Sequence, residues 1–372
     1  MNMKNSKYFG FVGLGLIGGS IARNLRKLYP DSTILVYYYN KEKINPELLL
    51  AQEEGIVNTI VTNFTEGFPQ CDIIFLCAPV LKNISYLSKL KEVMKPDCIL
   101  TDVGSVKGNI HDAIRKENME TYFIGGHPMA GSEKTGYGNS TLSLLENAFY
   151  VLTPTIKTPD SHLNTMEKLV KAIGAIPIIL QAKEHDNVTA AISHVPHIIA
   201  ATLVNLVQDH DDGKEHMRAL AAGGFKDITR IASSSPIMWE NICLTNPDSI
   251  VSFLHIFNDY IQQIITAIEQ NNSDYLLNYF GRSKSYRDNI QNKSVSIIEP
   301  VYEILVDVMD KKGTIATVAT ILASHDISIK NIGIIHNREF SQGALHIEFY
   351  EEAVRMNAIS ILKDYNYKLF TK

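Results

Sequence analysis

The stretch YFGFVGLGLIGGS, residues 8–20, decides the fold of the N-terminal part of the chain. Residues 8–12 form an apolar run typical of a buried strand, and Gly13, Gly15 and Gly18 then form a G-x-G-x-x-G motif where a helix begins. The first glycine allows a tight turn, the second lets the backbone approach a pyrophosphate, and the third allows close helix packing. Amides at the helix N-terminus face the anion. The stretch therefore predicts a dinucleotide site on an α/β fold.

Further apolar runs alternate with helical stretches as far as residue 182. The predicted strands cover residues 8–12, 33–39, 73–77, 99–102, 122–125, 150–153 and 176–180. The first four are mostly continuous apolar runs, as expected for parallel strands that are covered on both faces. The pattern predicts a Rossmann-like, doubly wound α/β domain over residues 1–182.

The pattern changes after residue 182 to long helical stretches, predicted at 184–209, 215–231 and 235–270. Their apolar residues exceed what one amphipathic stripe needs, which is typical of helices buried against a second subunit. We expect an all-α domain for substrate binding and dimerisation over residues 183–294, and in it the polar segment 271–294 is expected to be a helix end followed by a linker.

The last part of the chain shows a third pattern. Strands are predicted at 301–309, 327–336, 344–350 and 367–370, and helices at 314–325 and 351–365. This βαββαβ order within about 75 residues is the ferredoxin-like arrangement. It predicts a separate C-terminal domain over residues 295–372.

Composition excludes several classes of protein. The 372 residues suit two or three domains. Because 35 basic residues face 40 acidic ones and no basic run occurs, nucleic-acid binding is not expected. The four widely separated cysteines suit a reducing compartment, and we expect a cytoplasmic protein. The apolar run 8–22 could pass for a secretory signal, but its glycines and its length argue against a membrane role, and no later uncharged stretch is expected to reach the ~20 residues of a span.

Polar residues cluster in a few otherwise apolar segments. TDVGSVK at 101–107 ends a predicted strand, where open α/β sheets place ligands, and GHPMAGSEK at 126–134 follows the next strand. In the helical part stand His185-Asp186, SHVPH at 193–197 and GFKDITRIA at 224–232. His194 and His197 could suggest a metal site, but cysteine is absent nearby, no H-E-x-x-H pattern occurs, and Pro196 disturbs their shared helical face. No metal is predicted.

These motifs, taken together with GLGLIGGS at 13–20, resemble those of the prephenate dehydrogenases that carry a C-terminal ACT domain. The resemblance runs along essentially the whole chain in order. It implies the oxidative decarboxylation of prephenate to 4-hydroxyphenylpyruvate with a nicotinamide cofactor, in tyrosine biosynthesis. A homodimer is expected as well.

The resemblance also implies roles for individual residues. His127 is expected to be the catalytic histidine that bonds the ring hydroxyl, and Ser105 to orient that hydroxyl and the nicotinamide. His197 and Arg230 are expected to hold the substrate. The other residues given pocket or gate positions are Ser132, Ser193, Trp239, Glu133, Lys226 and Asp227. The expected cofactor contacts are Gly13, Gly15, Leu16, Ile17, Gly18 and Asn40.

The residue types suit this chemistry. A neutral imidazole is a suitable acceptor for the hydroxyl proton near pH 7, so His127 has to be unprotonated. Prephenate carries two carboxylates, and Arg230 offers a planar, always charged fork for one of them. In an otherwise acidic chain, substrate capture is expected to depend on a few such local cations.

Three alternatives stay open in the sequence. The second predicted strand ends in YYYNK, without the carboxylate that usually bonds the adenosine ribose. Asn40 can bond a ribose hydroxyl, as in NAD, whereas Lys41 and Lys43 favour the 2′-phosphate of NADP. NAD is therefore preferred, and NADP stays possible. Arogenate differs from prephenate by an amino group in place of a keto oxygen and is an alternative substrate. A dinucleotide-sensing regulator with vestigial catalytic residues is a more distant alternative.

The segment DKKGT at 310–314 resembles the turn of ACT domains, which commonly bind amino acids near it. This implies feedback control by L-tyrosine, with Gly313 and Asn331 as the expected effector contacts. The alternative is that Gly313 only makes the turn and the module only dimerises.

Overall fold

The structure is a computed structural model that describes residues 8–40, 42–131, 134–293, 302–308, 313–335 and 344–370. The chain divides into two compact units, Met1–Ile261 and Gln262–Lys372. Each unit is described by itself.

The first unit is built on an eight-stranded sheet in the order β3-β2-β1-β4-β5-β6-β7-β8. The strands are β1 Tyr8–Val12, β2 Thr33–Tyr37, β3 Thr59–Val61, β4 Ile73–Leu76, β5 Ile99–Asp102, β6 Phe123–Pro128, β7 Phe149–Pro154 and β8 Ile176–Ile179. The helices between them are α1 Leu16–Leu28, α2 Pro46–Glu53, α3 Val80–Val93, α4 Gly108–Lys116 and α5 Asp160–Ala172. The predicted Rossmann-like fold is confirmed.

Two features of this sheet differ from the prediction. Strand β3 was not predicted, because it has only three residues and lies at the edge of the sheet. Strand β7 runs antiparallel to β6, while β8 is parallel to β7. The sheet is therefore parallel through its first six strands and mixed beyond them.

The sheet is buried on both faces, as its apolar strands require. In β4, Ile73 and Phe75 belong to one core cluster, whereas Ile74 and Leu76 belong to the cluster on the opposite face. Successive side chains of a strand point to opposite faces, so one apolar run supplies both cores.

Helices follow β8, but they are more broken than the sequence suggested. They are α6 Ala182–Thr189, a π-helical turn Ala190–His194, α7 Val195–His210, α8 His216–Leu220, α9 Gly223–Thr229, a 3₁₀ turn Arg230–Ser233, α10 Pro236–Thr245 and α11 Pro247–Glu269. The predicted helix 184–209 contains the π turn just before Pro196, whose ring and missing N–H disturb an α-helix. The predicted helix 235–270 breaks at Asn246, because a residue before proline disfavours α-helical geometry.

The run Ala182–His210 also corrects an expectation. By length and composition this one helical run could cross a membrane, although no later stretch was expected to reach that length. Its polar side chains include His185, Asp186, His194 and His197, all of which are buried within the first unit. Length and composition are therefore weak evidence of a membrane span here.

The second unit contains a helix where the sequence predicted a linker. Helix α12 spans Ser273–Lys293, and the side chain of Asn272 accepts a hydrogen bond from Tyr275 N at 3.1 Å at its start. The linker prediction for 271–294 was wrong. It relied on the polar composition of the segment, but a helix tolerates a polar, solvent-exposed surface, and this segment has an N-cap residue and no proline.

The C-terminal module has the predicted ferredoxin-like arrangement. Its elements are β9 Tyr302–Asp307, α13 Thr314–Ser324, β10 Asn331–Ile335, β11 Ala344–Phe349, α14 Glu352–Asp364 and β12 Leu369–Phe370. The four strands pair antiparallel in the order β10-β11-β9-β12. Val306, Leu322, Leu345 and Leu362 are fully buried between sheet and helices and form its core.

Candidate active site

The glycine loop leaves room for a phosphate at the start of α1. Gly13 has a φ of +87°, which favours glycine, and a Cβ there would lie 3.1 Å from Ala78 N. A Cβ on Gly18 would lie 3.0 Å from Cys77 Cβ, whereas one on Gly15 would meet open space. Leu16 begins α1. The loop therefore has the tight turn, the open backbone approach and the close packing that a dinucleotide needs.

The tip of the second strand is shaped by Asn40. Its side-chain oxygen accepts hydrogen bonds from Glu42 N at 3.0 Å and Lys43 N at 3.3 Å, which closes a turn just beyond β2. Lys41 lies outside the described residues. Asn40 itself is half-buried in this turn.

A buried ion pair joins the carboxyl ends of β5 and β6. The Lys107 ammonium contacts Asp102 Oδ2 and donates to Gly126 O at 2.7 Å, and both charged side chains are completely buried. Asp102 also accepts from Gly104 N at 2.9 Å and from Gly126 N at 3.1 Å. Burial lowers the pKa of Lys107, while the nearby Asp102 opposes that shift. The pair fixes the loop that carries half-buried Ser105.

His127, in β6, is the first of three buried side chains that are linked by hydrogen bonds. Its Nδ1 lies 2.8 Å from His185 Nε2, and His185 Nδ1 lies 2.8 Å from Asp186 Oδ1. The Asp186 carboxylate also accepts hydrogen bonds at 2.7 Å from Lys107 N and from Gly108 N, at the start of α4. Helix α6, which carries His185 and Asp186, packs against α4 and β7 and so brings them beside His127.

This environment keeps His127 neutral. Burial holds the pKa of His127 well below 6.5, and the neighbouring His185 lowers it further. Lys107 and His194 act in the same direction. His127 is thus an unprotonated imidazole at neutral pH.

A second group of rings lies in the helical part. The rings of His197 and Trp239 stack with centroids 3.5 Å apart, and His194 meets Trp239 edge-on at 6.1 Å. His194 Nδ1 lies 3.4 Å from Asn246 Nδ2, which donates to Asp186 O at 2.8 Å. These contacts connect the surroundings of His197 with the His185-Asp186 pair.

The remaining predicted substrate residues lie on neighbouring helical elements. Ser193 is half-buried in the π turn, and Lys226 and Asp227 are exposed on α9. Arg230 is exposed at the start of its 3₁₀ turn. Helix α7, which carries His197, contacts both α9 and this turn, so the elements that carry His197 and Arg230 pack against each other. Ser132 and Glu133 lie outside the described residues.

The predicted effector residues lie in the second unit. Gly313 has a φ of +91° and precedes α13, and Asn331 begins β10 with its amide 3.4 Å from Glu348 Oε1. The predicted turn residues 310–312 lie outside the described residues. Across the described part of the chain, no group of three or more His, Cys, Asp or Glu side chains is arranged to hold a metal ion.

Sequence reasoning gave no role to four of these residues. His185 and Asp186 were noted only as a polar pair, and Asp102 and Lys107 only as part of a motif. The signal that could have found Asp102 and Lys107 is a charged pair at a strand end in an apolar setting. No local signal places His185 beside His127, because 58 residues separate them.

Comparison with known proteins gives two adjacent family matches. Residues 21–179 match the family model "Prephenate dehydrogenase, nucleotide-binding domain" and residues 181–282 match "Prephenate dehydrogenase, dimerization domain". Prephenate dehydrogenase from Bacillus subtilis (strain 168) is 38% identical over 348 residues, which cover 93% of each chain.

Solved structures give the same result. The structure of Aquifex aeolicus prephenate dehydrogenase in complex with hydroxyphenyl propionate and NAD+ has a TM-score of 0.70 at 31% identity and covers 76% of this chain and 98% of its own. Synechocystis arogenate dehydrogenase has a TM-score of 0.67 at 28% identity, covering 76% and 99%. By sequence over nearly its whole length and by the fold of its catalytic part, the chain belongs to the prephenate dehydrogenase family.

Proposed function

We propose that the protein oxidises prephenate with NAD and releases CO2 to form 4-hydroxyphenylpyruvate, in tyrosine biosynthesis. The observation that carries the proposal is His127, a buried neutral imidazole at the carboxyl end of the sheet that also bears the glycine loop. Family membership supports it, as does the relative solved with NAD+ and a hydroxyphenyl acid.

The chain's own residues handle the proton. When bound, NAD supplies the hydride acceptor. His127 accepts the hydroxyl proton, so the O–H electron pair is free to form a carbonyl as the carbon loses hydride. When CO2 leaves, the electron pair of the broken C–C bond enters the ring, which becomes aromatic, and the oxygen takes the proton back from His127. Ser105, on the neighbouring loop, orients the hydroxyl.

The substrate carboxylates are proposed to meet the helical side of the site. Arg230 provides a bidentate partner for one carboxylate, and His197, held flat against Trp239, provides a fixed donor. Ser193 adds a hydroxyl. The polar gate is proposed to comprise Glu133, Lys226 and Asp227, and Ser132 is proposed as a further substrate-binding residue.

The cofactor is proposed to lie along the glycine loop. Amides from Gly13 to Gly18, including those of Leu16 and Ile17, face the pyrophosphate, and Asn40 bonds the adenosine ribose. The loop fits this role because Cβ atoms would crowd Gly13 and Gly18 but not Gly15.

A direct assay tests the proposal. Purified protein is mixed with prephenate or arogenate and with NAD or NADP, and the absorbance of the reduced cofactor is followed. Reduction of NAD with prephenate is expected to be the fastest pairing. Faster turnover of arogenate would replace the substrate, and no reduction in any pairing would contradict the enzymatic function.

We further propose three domains with boundaries near residues 182 and 294, a cytoplasmic homodimer and control by L-tyrosine. The matched dimerization model and the exposed apolar side chains of Ile237, Leu244 and Val251 support a dimer. All four cysteines are free, which fits a reducing compartment. Calorimetry with tyrosine on the whole chain and on residues 1–294 tests the sensor at Gly313 and Asn331: binding only to the whole chain is expected, and equal or absent binding in both excludes it.

A further inference from the structure

We infer that His185 and Asp186 are a positioning pair that fixes the tautomer of His127. They hold its ring proton on Nδ1 and leave Nε2 as the only nitrogen that can accept the substrate proton. The inference rests on the proposed function, because a proton acceptor is needed only if the hydroxyl is oxidised. It names two residues that touch neither substrate nor cofactor in this scheme.

The direction of these hydrogen bonds follows from the carboxylate of Asp186. An ionised carboxylate can only accept, so the 2.8 Å contact requires His185 Nδ1 to donate to Asp186 Oδ1. A neutral His185 then has its lone pair on Nε2. That lone pair faces His127 Nδ1 at 2.8 Å, so His127 donates from Nδ1 and keeps its own lone pair on Nε2.

The carboxylate is itself fixed. Lys107 N and Gly108 N donate to its two oxygens at 2.7 Å, at the N-terminus of α4, where the helix favours a negative group. The backbone thus holds the orientation of Asp186, which orients His185, which orients His127. All three side chains are buried.

One other protonation pattern fits the same distances. A doubly protonated His185 would pair with Asp186 and donate from Nε2 to His127 Nδ1, so that His127 would carry its proton on Nε2 and could not act as acceptor. We take the first pattern, because it leaves Nε2 of His127 able to accept the substrate proton, as the proposed function requires. The two patterns differ in which nitrogen of His127 is protonated, and that difference can be measured.

The first test is the substitution Asp186→Asn. The new amide has a single oxygen, which we expect to accept from Gly108 N. The NH2 group then takes the position of Oδ1 and faces His185 Nδ1, and Lys107 N loses its acceptor. The chain of donors then reverses, and the proton of His127 moves to Nε2. We expect kcat to fall by a factor on the order of 10²–10⁴ with KM for prephenate and NAD within about threefold, as when an acid–base histidine is held in the wrong tautomer.

A matched control is Asp72→Asn. Asp72 is a partly buried aspartate that, like Asp186, accepts a hydrogen bond from a backbone N–H, that of Tyr8 at 3.1 Å. It pairs with Lys95 and lies just before β4, away from the two histidines. This variant is expected to keep kcat within about twofold. A kcat for Asp186→Asn within fivefold of the control would overturn the inference.

The second test reads the tautomer without using activity. In protein labelled with ¹⁵N-histidine, the His127 signals, assigned by comparison with His127→Asn, should show a protonated Nδ1 and an unprotonated Nε2 at pH 7.5. In Asp186→Asn the signals should show the opposite, with an unprotonated Nδ1 and a protonated Nε2. Protonated Nε2 in the unmodified protein would refute the inference, even if prephenate is oxidised. The expected tautomer in a protein that does not oxidise prephenate would refute the proposed function instead.

A further variant covers the case in which Asp186→Asn does not fold. His185→Leu removes the acceptor for His127 Nδ1, whereas His185→Gln keeps a side-chain oxygen that can accept there. The inference predicts that His185→Gln retains at least tenfold more kcat than His185→Leu. Equal loss in both variants would mean that His185 only fills space.

Discussion

The buried pair of Lys107 and Asp102 gives a sharp prediction for stability. In Lys107→Met the aliphatic part of the side chain is kept, but the ammonium is lost and Asp102 stays completely buried. Removing one partner of a buried ion pair costs about 3–5 kcal/mol. Asp102 would keep its hydrogen bonds from Gly104 N and Gly126 N, while Gly126 O would lose its donor. We therefore expect the free energy of unfolding to fall by an amount near the lower end of this range, about 3 kcal/mol.

The assay is urea unfolding at pH 7, followed by circular dichroism on the whole chain, with the transition of the first unit as the readout. The double variant Lys107→Met with Asp102→Asn is the control, because it also removes the unpaired charge and should recover at least about 1 kcal/mol. A loss below about 1 kcal/mol in Lys107→Met, or a double variant less stable than the single one, would refute the reasoning.

Three other outcomes are expected. His127→Asn should lower kcat by a factor on the order of 10²–10⁴ in steady-state assays while prephenate and NAD binding stay near normal; activity within a few-fold would mean that His127 is not the proton acceptor. Arg230→Lys keeps the charge but loses the fork, so KM for prephenate should rise strongly with less effect on kcat, and an unchanged KM would contradict its role. Burial lowers the pKa of His111 and of His194 from 6.5 to about 4, so each histidine binds a proton more readily when unfolded, and stability should fall as pH drops from 6.5 to 4, by about 3 kcal/mol per histidine at ~1.4 kcal/mol per pKa unit. In urea titrations across this range, His111→Gln should lose less stability than the unmodified chain, and an equal loss would contradict that assignment.

Local patterns predicted the elements whose cause is local. The glycine loop follows a strand and begins a helix, and the βαββαβ order fixes the C-terminal module, so both could be found from spacing alone. Helix α12 could not, because a polar helix with an exposed surface has the composition of a linker. The antiparallel β7 could not either, because strand direction depends on the path of the connection and not on the strand's own residues.

The same distinction applies to the site. Motifs located His127, Ser105 and the glycines, which lie beside strand ends. The contact between His127 and His185 depends on how α6 packs against the sheet, and no pattern within either segment encodes it. The sequence therefore pointed to the reacting imidazole and missed the pair that we propose sets its proton.

The π turn at Ala190–His194 sets the angular phase between two helices. It lies between α6, which carries His185, and α7, which carries His197. Because an α-helix turns by about 100° per residue, deleting one residue here would rotate everything after it by about that angle relative to α6. His197 would then leave the side on which it stacks with Trp239, although every side chain of the pocket would still be present. The number of residues in this one turn thus decides whether the side chains of α6 and those of α7 face the same pocket.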